Sequence, residues 1–316
     1  MLEDVAVKAP AGVVVERKRR QFVTFLVRLI KEKPLGTFGG VIVLLLLLTG
    51  ILADVLAPYG YNDINPAASF SPPSAKYILG TDNLGRDMLS RIIYGARISM
   101  VVGLAASAIS VANSTIIGVL CGYIGGKFDL VVQRFVDGWM CFPGLVILIA
   151  LVSILGPGLI TVIVVLGVFG GIGGSRVVRG AVIAIRENAY VEAARAVGCS
   201  TGMLLVRHIL PNVLAVLIVL FTVRMPGVIL TEASLSFLGF GIPPPTPSWG
   251  GMLSGTGRSY MFLAPWLAIW PGVALTVVVY GANMFGDALR DLLDPRLRGG
   301  LGRYDVKKIL RTNAPE

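Results

Sequence analysis

Six apolar runs, each about twenty residues long, restrict this chain more than any other feature. The clearest is Leu35 to Ala57, which carries Leu44 to Leu48 without interruption. The others run about Ile98 to Tyr123, Val136 to Leu155, Leu159 to Val178, Val213 to Phe240 and Trp266 to Phe285. As helices, such runs match the hydrocarbon thickness of a bilayer, where each backbone polar group must be satisfied within its own segment. The expectation is an all-α integral membrane protein with six transmembrane helices. Composition agrees: 55% of residues are hydrophobic and 15% charged, against about 25% charged in an ordinary globular chain. Too few charges remain to cover a soluble surface, so two soluble domains, which 316 residues would otherwise suggest, are excluded. Disorder and a disulfide scaffold are excluded by the same long apolar runs and by the presence of only three cysteines.

The basic residues orient the spans. Of 28 Lys and Arg, the side opposite the tails holds Lys76, Arg86, Arg91, Arg97 and Arg258, and Arg224 falls inside the fifth span. The remainder lie in the N-terminal tail, after span two, between spans four and five, and after span six. Positive loops stay inside, so both termini are expected in the cytoplasm. The net charge of +10 is then mainly a topology signal, and no nucleic-acid partner is expected. A cleavable signal peptide is not expected, because the first apolar run is too long and follows a tail of more than thirty residues. In that tail Phe22, Phe25, Leu26, Leu29 and Ile30 recur at helical spacing, with Arg20, Arg28 and Lys31 off the stripe. This reads as a helix lying on anionic lipid until Pro34 turns the chain into the bilayer, whereas residues 1–15 read as a disordered basic tail. The division expected is a cytoplasmic tail over residues 1–34, a six-helix transmembrane domain over 35–292 and a cytoplasmic tail over 293–316. Within the domain, 58–96 and 242–265 are extracytoplasmic and 180–211 is cytoplasmic.

Cys121, Cys141 and Cys199 are far apart and lack ligand spacing, and the single histidine, His208, has no second imidazole. No metal site is expected.

The loop between spans four and five is the most informative segment. It runs Arg186-Glu187-Asn188-Ala189-Tyr190-Val191-Glu192-Ala193-Ala194-Arg195-Ala196-Val197-Gly198, and onward to Ile209-Leu210-Pro211-Asn212. Asn188 can cap a short helix, with Glu192 near its positive N-terminal end. Gly198 is placed to end it in a left-handed conformation, Ser200 to start a second helix, and Pro211 to stop that helix or open span five. By pattern alone this is either a solvated connector or a docking element, since Ala193 and Ala194 would let a partner backbone approach closely.

Glu192-Ala193-Ala194, Gly198 and Ile209-Leu210-Pro211 resemble the EAA loop of ABC-importer permeases. Leu79-Gly80-Thr81-Asp82-Asn83-Leu84-Gly85-Arg86-Asp87-Met88-Leu89-Ser90-Arg91 resembles the segment before the second span of dipeptide and oligopeptide permeases, C-type subunit. So do Leu235 to Gly241, Pro244 to Gly250, and Asp287 to Arg296. The resemblance covers about Lys33 to Arg298. It implies a type I ABC importer permease fold and a non-catalytic subunit in the bacterial plasma (inner) membrane. The implied partners are a homologous permease subunit in a heterodimer, two cytoplasmic ATPases that bind ATP and Mg, and an extracytoplasmic solute-binding protein. It also implies that Tyr190, Glu192, Ala193, Ala194, Arg195 and Gly198 form the ATPase-docking coupling helix. Di- or oligopeptides are the implied solute, with nickel chelates or sugars as alternatives. The chain has no G-x-x-x-x-G-K-[ST] motif: its one Gly-Lys pair, Gly126-Lys127, is followed by Phe128.

Charges within apolar helices are expensive, so Arg224 should face a cavity or a partner. Glu232 lies two turns on, about 12 Å along the axis. Both are candidates for a translocation path, where Arg224 would meet a solute carboxylate; the competing reading is an ion pair between Arg224 and a partner subunit. Asp82, Arg86, Asp87 and Arg91 form an extracytoplasmic mixed-charge segment, either a self-paired surface cap or short helix, or a gate or landing surface for the binding protein. Gly118, Gly122 and Gly126, and the pairs Gly167/Gly171 and Gly170/Gly174, have the spacing of close helix crossings, which also permits hinges. An ion-coupled secondary carrier is the rival class, but no convincing internal repeat and no dense chain of intramembrane ionisable groups supports it. A membrane-embedded enzyme fits least, since no nucleophile–base set appears within the spans.

Overall fold

The computed structural model describes residues 27–293. The stripe expected over Phe22 to Ile30 lies largely outside the described residues, as do the expected disordered stretch and the tail beyond 293; residues 27–32 are helical. The main helices are α1 (Pro34–Ile51), α2 (Met88–Ile124), α3 (Gly126–Met140), α4 (Gly144–Leu155), α5 (Leu159–Gly171), α6 (Ser175–Arg186), α7 (Ala189–Ala196), α8 (Thr201–Phe237) and α9 (Trp266–Leu293). Among the described residues the β structure is a single antiparallel bridge, Thr81 to Asp87.

Four helices (α1, α2, α8 and α9) are long and apolar enough to cross a membrane, and the number rises to six if each of two bent pairs counts as one span. The third and fourth apolar runs, expected as Val136 to Leu155 and Leu159 to Val178, are each broken into two helices. Between α3 and α4 the axis turns by 89° at Pro143, whose ring and missing N–H cannot continue a helix. Between α5 and α6 it turns by 45° across Ile172-Gly173-Gly174. The two bends touch: Met140 lies beside Gly173, and the Trp139 and Phe169 rings stack with centroids 5.1 Å apart. Helix α2 begins ten residues earlier than its apolar run, because Asp87 caps it by accepting from Ser90 N at 2.7 Å. Pro211 does not stop the chain; it stands in the first turn of the α-helical stretch Leu210–Phe237, where span five opens. A π-helical stretch, Leu204–Ile209, precedes it, and this widened turn lets the chain run through Pro211 into one long helix.

Glycine contacts give the directions of the helices. Gly118 lies against Val178 and Gly122 against Val182, so α2 and α6 run parallel. Gly36 meets Ala288 while Gly281 meets Ile42, so α1 and α9 run antiparallel. Val213 packs with Val178 and Val182, and Val228 packs with Val102 and Ala106, which makes α8 antiparallel to both α2 and α6. Asp129 pairs with Arg179 and Asp137 with Arg176, so α3 runs back against α6. The packing role expected of the spaced glycines holds for Gly118, Gly122, Gly167 and Gly171. It fails for Gly126, which has no neighbour at its missing Cβ and sits instead in the α2–α3 turn with φ +56°.

One end of the bundle gathers the start of α1 and the end of α9, joined by Lys33 Nζ to Asp291 Oδ2 at 2.5 Å. It also holds the α2–α3 turn and α7, since Arg186 donates to Tyr123 O at 3.0 Å and the Arg195 guanidinium lies 5.9 Å from the Tyr123 ring. The opposite end is capped by residues 52–87 and 238–265 packed on one another. Trp266 Nε1 donates to Thr81 O, Trp249 Nε1 donates to Ile92 O, both at 3.1 Å, and the Phe70 and Tyr260 rings approach to 4.8 Å.

Candidate functional site

At the first of these ends, α7 is a short Ala-rich helix with Glu192 in its first turn and Arg195 in its last, both complementary to its dipole. Asn188 does not cap it through its side chain. Its Nδ2 donates backward to Ala184 O and Ile185 O at 3.3 and 3.1 Å, covering the open carbonyls of α6. The first amides of α7 use the Asn188 carbonyl instead, from Val191 N at 2.9 Å and Glu192 N at 3.3 Å. The far end matches the sequence reading closely. Gly198 has φ +89°, Gly198 N donates to Arg195 O at 3.0 Å, and Cys199 N donates to Ala194 O at 3.1 Å, the paired bonds of a Schellman cap.

Val191 is fully buried and fastens α7 to the bundle. The rest of the helix faces outward: Tyr190, Glu192, Ala193, Arg195 and Gly198 are exposed and Ala194 is half-buried. Val197 is 89% exposed, and Met203 and Val206 extend the apolar surface beside it. Exposed valine and methionine next to a flat alanine face suit contact with another protein surface better than contact with water.

Arg224 and Glu232, both on α8, are not brought together. Arg224 Nη1 donates to Gly170 O at 2.7 Å, at the α5–α6 bend. Among the described residues no carboxylate lies within ion-pair distance of it. Glu232 is 1% exposed and points toward the opposite end of the bundle. Its Oε1 accepts from Ser236 Oγ at 2.7 Å, and that hydroxyl in turn accepts from Ile242 N at 3.3 Å, tying the proline-rich segment to α8.

Asp82, Arg86, Asp87 and Arg91 are all buried, which corrects their expected place on a surface; Asp82 pairs with both arginines, whereas Asp87 accepts from Ser90 N and Ser90 Oγ as the cap of α2. Asp82 accepts from Arg86 Nε at 2.7 Å and lies 3.8 Å from Arg91 Nε. Its other oxygen accepts from Leu84 N and Arg86 N at 2.9 and 3.0 Å. Arg91 also donates to Tyr61 O at 3.0 Å, so the cluster braces the cap from inside. Trp266 holds the loop over it by donating from Nε1 to Thr81 O, next to Asp82.

Sequence reading missed a second charged layer. Asp129 and Asp137, eight residues apart on α3, meet Arg179 and Arg176, three apart on α6, and Arg134 pairs with Asp137 at 3.4 Å. These residues line a cleft of about 490 Å³ with Gly126, Leu130 and Gln133. The signal was present as two acids two turns apart facing two arginines one turn apart. The helix direction that joins them was not. Among the described residues no group of three or more His, Cys, Asp or Glu is arranged to hold a metal.

Comparison with known proteins places this geometry. The family described as binding-protein-dependent transport system inner membrane component matches residues 114–299, and the N-terminal TM domain of oligopeptide transport permease C matches residues 25–73. The chain is 39% identical over 269 residues to the dipeptide transport system permease protein DppC of Alkalihalophilus pseudofirmus, covering 85% of this chain and 88% of that one. It is 39% identical over 266 residues to the glutathione transport system permease protein GsiD of Pectobacterium atrosepticum, covering 82% and 86%. In fold it is similar to a chain of the MetNI methionine ABC transporter solved in an inward-facing conformation, with TM-score 0.53, 20% identity, and 66% of this chain and 98% of that chain covered. The chain, a multi-pass membrane protein, therefore belongs to the inner-membrane permease components of binding-protein-dependent transport systems.

Proposed function

We propose that this chain is one permease subunit of a type I ABC importer for small peptides, pairing with a homologous subunit to enclose the solute path. Six spans result when each bent pair is one crossing, and the alternating helix directions support that count. The end bearing α7, the α2–α3 turn and both described chain ends carries most of the Lys and Arg, which supports a cytoplasmic position for it. Two ATPases docked there would hold ATP and Mg, and this chain would contribute no catalysis. A binding protein would deliver solute to the opposite, capped end.

The observation that carries this reading is α7: a rigidly capped alanine face with exposed Val197, fastened by Val191 at the cytoplasmic end. Its residues Tyr190, Glu192, Ala193, Ala194, Arg195 and Gly198 would occupy a groove on an ATPase. The relatives' names point to dipeptide and glutathione, both short peptides with free carboxylates, so peptides are the solute class. The buried Asp82 cluster supports a structural brace of the extracytoplasmic gate over a landing surface. Reconstitution of this chain with its partner permease and ATPases in vesicles tests the reading: peptide uptake should require binding protein and ATP. An Ala193→Cys variant should crosslink to the ATPase. Uptake by this chain alone, driven by an ion gradient, would refute it.

A further inference from the structure

The break between α5 and α6 is unusual in how completely it is satisfied. A helix end leaves its last four carbonyls without intrahelical partners. Here side chains from two other helices serve most of them. Asn113 Nδ2 of α2 donates to Val168 O at 2.5 Å, and Ser114 Oγ of α2 donates to Gly171 O at 2.5 Å. Arg224 Nη1 of α8 donates to Gly170 O at 2.7 Å, bringing a positive charge to the negative end of the α5 dipole. Gly174 keeps the space open for both helices: a Cβ there would lie 2.5 Å from Ser114 Oγ and 2.9 Å from Arg224 Nη2.

Helix α8 has a second connection. It runs without interruption from Thr201, beside α7, to Arg224 and beyond. Tyr190 of α7 faces His208 of α8 with ring centroids 6.5 Å apart. An axial or rotational shift of α8 at its α7 end is therefore delivered to the guanidinium at the break.

We propose that Arg224 is a positioning residue for transport: its guanidinium caps the last turn of α5 and sets the 45° angle between α5 and α6, so that movement of the docking segment, carried along α8, resets that angle. This rests on the ABC-permease reading for its link to ATP, but the cap itself is a property of this chain. It differs from both roles open to Arg224 on sequence, solute contact and an ion pair across the subunit interface. Ser114 and Gly174 become parts of the same device.

Two readouts test it on the assembled complex in a cysteine-free background. In the first, spin labels at Ile160→Cys on α5 and Val177→Cys on α6 report the angle without any requirement for ATP. Arg224→Met should shift or broaden the distance distribution, Arg224→Lys should largely restore it, and Gly174→Ala should mimic Arg224→Met. A distribution in Arg224→Met identical to wild type would overturn the proposal, whatever the solute proves to be. In the second, ATP-driven uptake should show Vmax reduced about tenfold or more in Arg224→Met with KM little changed, the loss expected for one charged hydrogen bond. A raised KM confined to carboxylate-bearing peptides, with Vmax retained, would overturn it in favour of solute contact. If Arg224→Met fails to assemble, Ser114→Ala decides: it removes the neighbouring cap, and a wild-type angle and Vmax in that variant would equally refute the device. Failure of wild-type uptake to need ATP would instead sink the importer reading and leave the angle measurement standing.

Discussion

Removing the carboxylate of Asp82 should loosen the cap over this end of the bundle while the helices beneath it stay folded. The side chain is 2% exposed and serves two guanidinium groups and two backbone amides. In Asp82→Ala, Arg86 keeps only the long contact to Asn62 Oδ1 at 3.4 Å, and Arg91 keeps Tyr61 O. Breaking a buried pair by deleting one partner costs about 3–5 kcal/mol, mostly because an uncompensated charge stays buried. Asp82→Asn retains an acceptor for the Leu84 and Arg86 amides but puts an N–H donor where Oδ2 accepts from Arg86 Nε, losing the charge and that hydrogen bond, so about 1.5–3 kcal/mol is expected. Replacing Asp82 and Arg86 together by apolar residues should recover much of the loss. Amide exchange is the assay, because Phe70 N, Thr81 N and Met88 N are all bonded within this segment. At 1.4 kcal/mol per decade, exchange at these three amides in Asp82→Ala should accelerate by about two to four decades. Amides in the middle of α2 should be unchanged. Exchange at Thr81 within about threefold of wild type would refute the argument that the ion cluster braces the cap.

Gly198→Ala forces a side chain into a left-handed conformation and should cost about 1–2 kcal/mol locally, seen as weaker co-purification of the ATPases with folded permease. Gly118→Leu drives atoms into Val178 and the Ser175 carbonyl, so α2 and α6 must separate; about 1–3 kcal/mol of overpacking should appear as a lower unfolding temperature in detergent. Arg97 hydrogen-bonds Asp54 at 2.7 Å and holds its carboxyl below the usual carboxylate range, with a second bond from Tyr94 contributing. A depressed folded pKa stabilises above the unfolded value and is lost as pH falls through the folded one. The tie between the ends of α1 and α2 should therefore be indifferent to pH at neutrality and weaken only below about pH 4, as crosslinking between the two ends would report.

Local features were legible where local physics governs them. Gly198 ends α7 as expected, because a left-handed residue after an Ala-rich turn needs no distant partner. Asn188 shows where that legibility stops: the same side chain could serve the helix before it or the one after it, and the open carbonyls of α6 won. Pro143 and the glycines of 170–174 lie inside the apolar runs of spans three and four, and run length alone gives no sign of a bend, whose size depends on what packs into it. Met140 beside Gly173 and Arg224 on Gly170 O are relations between helices, not within them.

The amino-acid sequence by itself determined that this chain is helical and membrane-embedded, which end of the bundle carries the positive charge, and where the exposed alanine-rich helix begins and ends. Those follow from hydrophobic run length, charge placement and backbone conformational preference, all of which act over a turn or two of helix. Tertiary structure alone decided the partners of the charges. Asp82 lies inside its cap, Asp129 and Asp137 face Arg179 and Arg176, and Arg224 closes a broken helix more than fifty residues away in the chain. Each pairing depends on the direction and register in which helices meet, and that is set by where glycines let backbones approach across the bundle.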